Sequence, residues 1–345
     1  MCRAVLRLVA RRRYSMMELL RSQGRGCGLV IFSVLSGHAR CMLLTTMRLH
    51  PSENIVHNRV VVPGWPRLGL LALLVATMMI GAASAQTAEE LVHLINDYRS
   101  EGRSCDGRTL QAAGPLAPHA GLSNVQISGT KDLRKALRKQ NYSPASFQAI
   151  SISGPASPSA AMDLIMQRYC QPLMNPQYAE IGVSREGRTW RIVLARPVLS
   201  PDLSSWSDAG REILRLINQA RSEPRTCGRQ EFGAALPLAW APRLGAASLT
   251  HSRDMARQNY FSHRAKNGKR VNDRVERQGY TWRNVGENIA AGQGSAKQAV
   301  SAWVSSPPHC VNLMNPNFTE MGAAYAVDKK SDYTIYWTQV FAAPR

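Results

Sequence analysis

Acidic side chains are scarce in this chain: 23 Asp and Glu stand against 43 Lys and Arg in 345 residues, a formal net charge of +20. Such a field draws in anionic polymers, lipopolysaccharide, phospholipid head groups or extracellular DNA, with an affinity that falls as salt rises. The plainer reading of the charge is general solubility. Aromatic residues make up only 7% of the chain, and no Lys/Arg block is interleaved with them, which argues against a specific nucleic-acid groove. The apolar run Leu68 to Ile80 has thirteen residues, short of the roughly 18 to 20 that a membrane span needs. Two catalytic signatures are missing as well, the H-E-x-x-H of zinc peptidases and the G-x-S-x-G elbow of hydrolases. What is present is apolar content, 44% of residues. That argues for packed cores over disorder, and the length allows two or three domains.

Arg67, the run Leu68 to Ile80 and the small-residue triplet Ala83-Ser84-Ala85 read together as a secretory signal peptide, residues 67–85, cleaved near Ala85. Residues 1–66 then form a leader that does not suit a mature protein, with translation expected to begin at Met47 or later. An uncleaved membrane anchor is the alternative. Residues 86–345 keep 32 of the basic and 21 of the acidic residues, a net charge of +11, so the product stays basic. Its expected location is periplasmic or extracellular.

The part after the leader contains an internal repeat. Glu90-Leu91-Val92-His93-Leu94-Ile95-Asn96 lies on Glu212-Ile213-Leu214-Arg215-Leu216-Ile217-Asn218 at an offset of 122, which also sets Cys105 on Cys227 and Asp132-Leu133 on Asp254-Met255. Further on, Cys170 matches Cys310, and Leu173-Met174-Asn175-Pro176 matches Leu313-Met314-Asn315-Pro316, at an offset of 140. The first copy thus lacks about eighteen residues. Two cysteines fall in each copy, and in an oxidising compartment the repeat favours Cys105–Cys170 and Cys227–Cys310 among three possible pairings. Metal ligation by Cys310 is the competing reading.

Periodicity predicts helices over Glu212–Ser222, Leu244–Tyr260 and Ala296–Val304, then strands over Glu320–Ala326 and Tyr333–Phe341. Helices followed by late strands suggest helices on both faces of a central antiparallel sheet, an α/β fold.

Seven blocks then run in order through the second copy: Phe261-Ser262-His263, Gly279-Tyr280, Gly286-Glu287-Asn288-Ile289-Ala290, the Trp303, Ser306 and His309 of a W-x-x-S-x-x-H stretch, Asn312 to Pro316, Phe318 to Gly322, and Tyr336 to Phe341. From about Glu212 to Phe341 they resemble the bacterial, SCP-like branch of the CAP superfamily (cysteine-rich secretory, antigen-five and pathogenesis-related proteins). The resemblance implies two α-β-α sandwich domains, each a small antiparallel sheet flanked by helices: a degenerate copy at 86–198, a linker at 199–207 and an intact domain at 208–345. In the first copy Tyr169 stands at the place of His309, and Ser143-Pro144-Ala145 at that of Phe261-Ser262-His263.

The expected ligand-binding set is His263, Glu287, Ser306 and His309, with His263, Glu287 and His309 as catalytic candidates and His263 and His309 as holders of Zn²⁺. Many members of the resembled family have a second glutamate where Ser306 stands, so this set has less charge with which to hold a dication. A pairing with Arg274 is the structural alternative for Glu287. His251 is expected to be a half-buried structural residue, Trp303, Tyr336 and Trp337 to be core, and Trp240 and Trp282 to line the pocket rim. The leading functional expectation is a secreted protein that binds a small or lipid-like ligand, a metal or an anionic envelope component. A metal-dependent hydrolase using the same cleft and a structural envelope protein with a vestigial pocket are the alternatives.

Overall fold

The structure is a computed structural model that describes residues 86–125, 130–200 and 203–345, all within the unit Pro66–Arg345. The leader, the signal peptide and Cys2, Cys27 and Cys41 lie outside the described residues.

The first half opens with helix α1, residues 86–99, whose Leu91, Val92 and Ile95 are buried on one face. The hairpin β1 (Arg103–Cys105) and β2 (Arg108–Leu110) follows, then β3 (Ala117–Pro118), α2 (Ala120–Ser123), α3 (Thr130–Lys139), β4 (Ser146–Ser153), α4 (Pro158–Leu173), β5 (Glu180–Glu186) and β6 (Thr189–Arg196). The second half runs α5 (Trp206–Arg221), β7 (Arg225–Cys227), β8 (Gln230–Phe232), β9 (Ala239–Trp240), α6 (Pro242–Gln258), α7 (Val271–Arg277), β10 (Trp282–Ala291), α8 (Ala296–Val304), α9 (Pro307–Met314), β11 (Glu320–Val327) and β12 (Ile335–Pro344). Helix α5 begins at Trp206 behind a Ser205 N-cap, inside the stretch expected as a linker.

Two four-stranded sheets result, ordered β3-β5-β6-β4 and β9-β11-β12-β10. Three strands of each pair antiparallel, and the two-residue strands β3 and β9 add a parallel edge. Strand β12 shows why helices cover both faces. Its Ile335, Trp337 and Phe341 pack with Ile213, Trp303 and Leu313 of α5, α8 and α9, while Val340 and Ala342 pack with Leu244 and Ala247 of α6. Nine of its ten residues are buried, as alternation requires of a strand covered on both sides. Trp303, Tyr336 and Trp337 are core.

The same polar ties recur in the two halves. The Asn96 side chain exchanges two hydrogen bonds with the Leu116 backbone, and Asn218 does so with Leu238. Buried Arg99 donates to the carbonyls of Gly114, Leu173, Asn175 and Tyr178, and Arg221 to those of Leu236, Leu313, Asn315 and Phe318. Removal from water pulls Arg99 down to about 10, which leaves it charged at neutral pH. Disulfides join Cys105 to Cys170 and Cys227 to Cys310, across Cα separations of 5.6 and 5.4 Å.

One expected correspondence fails. Tyr142 donates through its hydroxyl to Glu180 and through its amide to the Leu137 carbonyl, just as Tyr280 does to Glu320 and Val275. Helix α3 therefore takes the place of α7, not of the end of α6, and Asp132-Leu133 does not answer to Asp254-Met255. Ser143-Pro144-Ala145 follows the counterpart of Tyr280 and does not replace Phe261-Ser262-His263. Repeated apolar spacing made the two helix ends look alike.

Candidate functional site

Strand β10 is the outermost strand of the second sheet, so segments from both faces meet at its edge. Its alternation sends neighbouring side chains in opposite directions. Glu287 points toward α6 and α7, where its buried carboxylate meets three nitrogen-bearing side chains. His263 Nδ1 lies 2.9 Å from Oε1, His251 Nε2 lies 3.9 Å from the same oxygen, and Arg274 Nη2 donates to Oε2. The next residue, Asn288, points toward α9. Its amide donates to the His309 carbonyl at 3.1 Å and its oxygen accepts from Asn312 at 3.1 Å, tying β10 to that helix.

Burial alone would raise the Glu287 pKa, but the His263 hydrogen bond and the charges of His251, Arg274 and His263 outweigh it, so the carboxyl is held below its ordinary value. His251 is wholly buried, and desolvation brings it down to about 4 against the opposing pull of Glu287. It is neutral at pH 7, so the Arg274 guanidinium and the His263 N–H sustain the carboxylate there. The His251 Nε2–H donates to the Ser262 carbonyl at 2.9 Å, which anchors the residue just before His263.

His309 lies near the start of α9, behind Pro307 and Pro308 in its first turn, positions where proline fits a helix. Its Nδ1 is 2.8 Å from the hydroxyl of buried Ser306. Desolvation takes its pKa down to about 3, and the charge of nearby His263 acts in the same direction. Among the described residues no hydrogen bond or ion pair joins His309 to Glu287. The predicted set is thus two pairs, His263 with Glu287 and His309 with Ser306. The acid orients the imidazole that has no serine, so the four side chains do not form a nucleophile relay.

A cleft of about 310 Å³ opens beside the first pair, lined by His263, Arg270, Val271, Asn272 and Glu287. The His263 side chain is 57% exposed and the Glu287 side chain only 3%. His263 therefore offers its Nε2 edge to a visitor while Glu287 does not reach out. Trp240 and Trp282 do not line this cleft. The Trp240 ring sits against Gly245 and under Arg211, and the Trp282 N–H donates to Glu276.

Zinc is the metal expected from the sequence. Among the described residues no group of three His, Cys, Asp or Glu side chains is arranged so that it could hold a metal ion. Glu287 is committed to Arg274 and His263, Cys310 to its disulfide, and Ser306 offers a hydroxyl where a carboxylate would be needed. Two imidazoles do not fit a resident zinc centre, which takes three or four protein ligands.

The sequence offered Arg274 as the structural partner of Glu287, and the two are paired; His251, expected as a half-buried structural residue, sits wholly buried beneath the same carboxylate. The signal for Arg274 was Val271 and Val275 at helical spacing, which turns the intervening arginine inward. Asn288 and Asn312 stood in the matched blocks, but nothing in the sequence gave them a role.

Residues 214–341 match the sequence profile of the cysteine-rich secretory protein family, CAP. An uncharacterized Bacillus subtilis protein, YkwD, is 36% identical over 113 residues, 33% of this chain and 42% of that protein. An uncharacterized B. subtilis membrane protein, YlbC, is 35% identical over 104 residues, 30% of this chain and 28% of that protein. The chain thus spans less than half the length of either relative. Among solved structures, an extracellular SCP-domain protein of Bacillus anthracis is 27% identical, with a TM-score of 0.35, covering 46% of this chain and 52% of the other. A cysteine-rich secretory protein of Staphylococcus aureus is 12% identical, with a TM-score of 0.32, covering 47% and 57%.

Proposed function

Because residues 214–341 form a domain of the cysteine-rich secretory protein family, we propose that this chain is an exported binding protein whose second half takes up a small ligand or lipid through an anionic head group at His263. Two disulfides support the exported location, since such bridges persist in oxidising compartments. Among the described residues no helix is long and apolar enough to cross a membrane.

One observation carries the binding reading: both oxygens of Glu287 are spent inside the protein, while the exposed edge of His263 faces a cleft rimmed by exposed Arg270. A general base must reach its substrate with a free lone pair. Glu287 instead serves as the support that aims His263. The Arg270 guanidinium at the rim, beside an Nε2 that donates when the imidazole is protonated, favours phosphate or carboxylate in a chain with a surplus of basic residues. The first half, without imidazoles at the matching places, is read as a degenerate copy that contributes packing.

Purified protein titrated with inorganic phosphate, acetate and phosphatidylglycerol vesicles tests this reading. Binding of at least one anion should shift the His263 imidazole resonance, weaken with salt and be lost in His263→Ala. Turnover of an ester or peptide library that vanishes in His309→Ala and with chelator would establish the hydrolase instead. Vesicle binding unchanged in a His263→Ala/His309→Ala double variant would establish the envelope scaffold with a vestigial pocket.

A further inference from the structure

We propose that the first half is a brace that fixes the two imidazole-bearing arms of the second half, acting through Asn96 on the His309 arm and through Gly114 on the His263 arm. The proposal rests on the cleft being the working site.

Asn96 and Asn218 hold matching places and make the same two bonds within their own halves. Asn96 makes one more, from its amide to the Ser305 carbonyl across the two halves at 3.0 Å. Ser305 caps the end of α8, where the last carbonyls lack a donor within the helix. The next residue is Ser306, whose hydroxyl holds His309. A buried side chain of the first half thus pins the joint from which the His309 arm departs.

The other arm is met by backbone. A Cβ added at Gly114 would stand 3.4 Å from the Ala291 nitrogen and 3.6 Å from Phe261 Cζ. Ala291 ends the strand that bears Glu287, and Phe261 lies two residues before His263. Between the two arms, fully buried Gln293 donates to the Pro115 carbonyl at 2.7 Å and the Ala179 carbonyl at 3.5 Å. The first half therefore grips the second at the base of each pair.

The test uses the full chain and reads the rings themselves, so it does not depend on any ligand being found. Asn96→Asp keeps the acceptor for the Leu116 amide and removes the donors to the Leu116 and Ser305 carbonyls. Diethylpyrocarbonate labelling followed by mass spectrometry should show His309 reacting about tenfold faster than in Asn218→Asp, the effect of the one further buried hydrogen bond lost, with His263 unchanged. Gly114→Leu should shift the His263 imidazole ¹⁵N resonances at pH 7 and leave those of His309 in place. Asn218→Asp, which loses the equivalent donor within the second half, gauges general loosening. Equal acceleration of both rings in Asn96→Asp and Asn218→Asp would overturn the proposal. If Asn96→Asp does not fold, Gly114→Leu decides alone: folded protein with an unmoved His263 spectrum overturns it.

Discussion

Replacing Glu287 by Gln removes one charge from a buried pair and should destabilise the protein more than it alters the cleft. The two side chains are 3% and 5% exposed. Without the carboxylate, the Arg274 guanidinium keeps only long bonds to the carbonyls of His263 and Lys269, 3.3 to 3.4 Å, and its Nε has no hydrogen-bond partner among the described residues. Stranding a buried charge in this way costs about 3–5 kcal/mol. For a folded unit of this size that is a fall in Tm of roughly 6–20 °C. Thermal unfolding followed by circular dichroism at pH 7 measures it. A Glu287→Gln/Arg274→Met double variant should recover about half of the loss or more, because the remaining positive charge is then gone. A Glu287→Gln protein as stable as wild type would refute the reasoning, for it would mean that the carboxylate faces water or a ligand and not its neighbours.

Acid should unfold the second half early. His251 and His309 are depressed to about 4 and about 3, so the unfolded chain takes up protons below about pH 6.5 that the native state refuses. The stability each contributes is complete above 6.5 and declines by about 1.4 kcal/mol per unit as pH falls toward those values. Denaturant titrations at pH 7, 5.5 and 4.5 should show a steadily falling midpoint, and a flat profile would contradict the burial of both rings. Gly322→Ala should be among the most damaging single changes, because its Cβ would lie 2.0 Å from the Gly245 nitrogen. Gly182→Ala meets Leu122 at 2.2 Å in the first half and should behave alike, with soluble yield and Tm as the readouts. Replacing Cys227 and Cys310 together by Ser should cost about 2–5 kcal/mol in urea.

Much of the second half was legible because its patterns are local. Ala296–Val304 is helical over the predicted range, and the helix predicted over Leu244–Tyr260 is Pro242–Gln258. The cysteine pairing followed from the repeat. Strand β10 was not read, because Trp282 to Glu287 carries Gly286 and polar residues on both faces. An edge strand that serves a charged site on one side and an asparagine tie on the other has no hydrophobic alternation to display. Helix α9 was not predicted: it opens on Pro307-Pro308, and two prolines conceal a helix even though proline suits a first turn. The site was half legible. The matched blocks nominated His263, Glu287 and His309, and Arg274 was offered as a partner of Glu287, but only the approach of α6 shows His251 beneath the carboxylate.

The two arginine hubs bear on how the chain closes as it emerges from the ribosome. Arg221 sits at the end of the first helix of its half, yet three of its four carbonyl partners lie 92 to 97 residues downstream. Until Leu313 to Phe318 have emerged, that guanidinium has nowhere dry to go, so the nascent segment gains nothing by closing around it. Arg99 imposes the same delay with partners 74 to 79 residues ahead. In each half the arginine hub can therefore close only after the segment that supplies those carbonyls has been made.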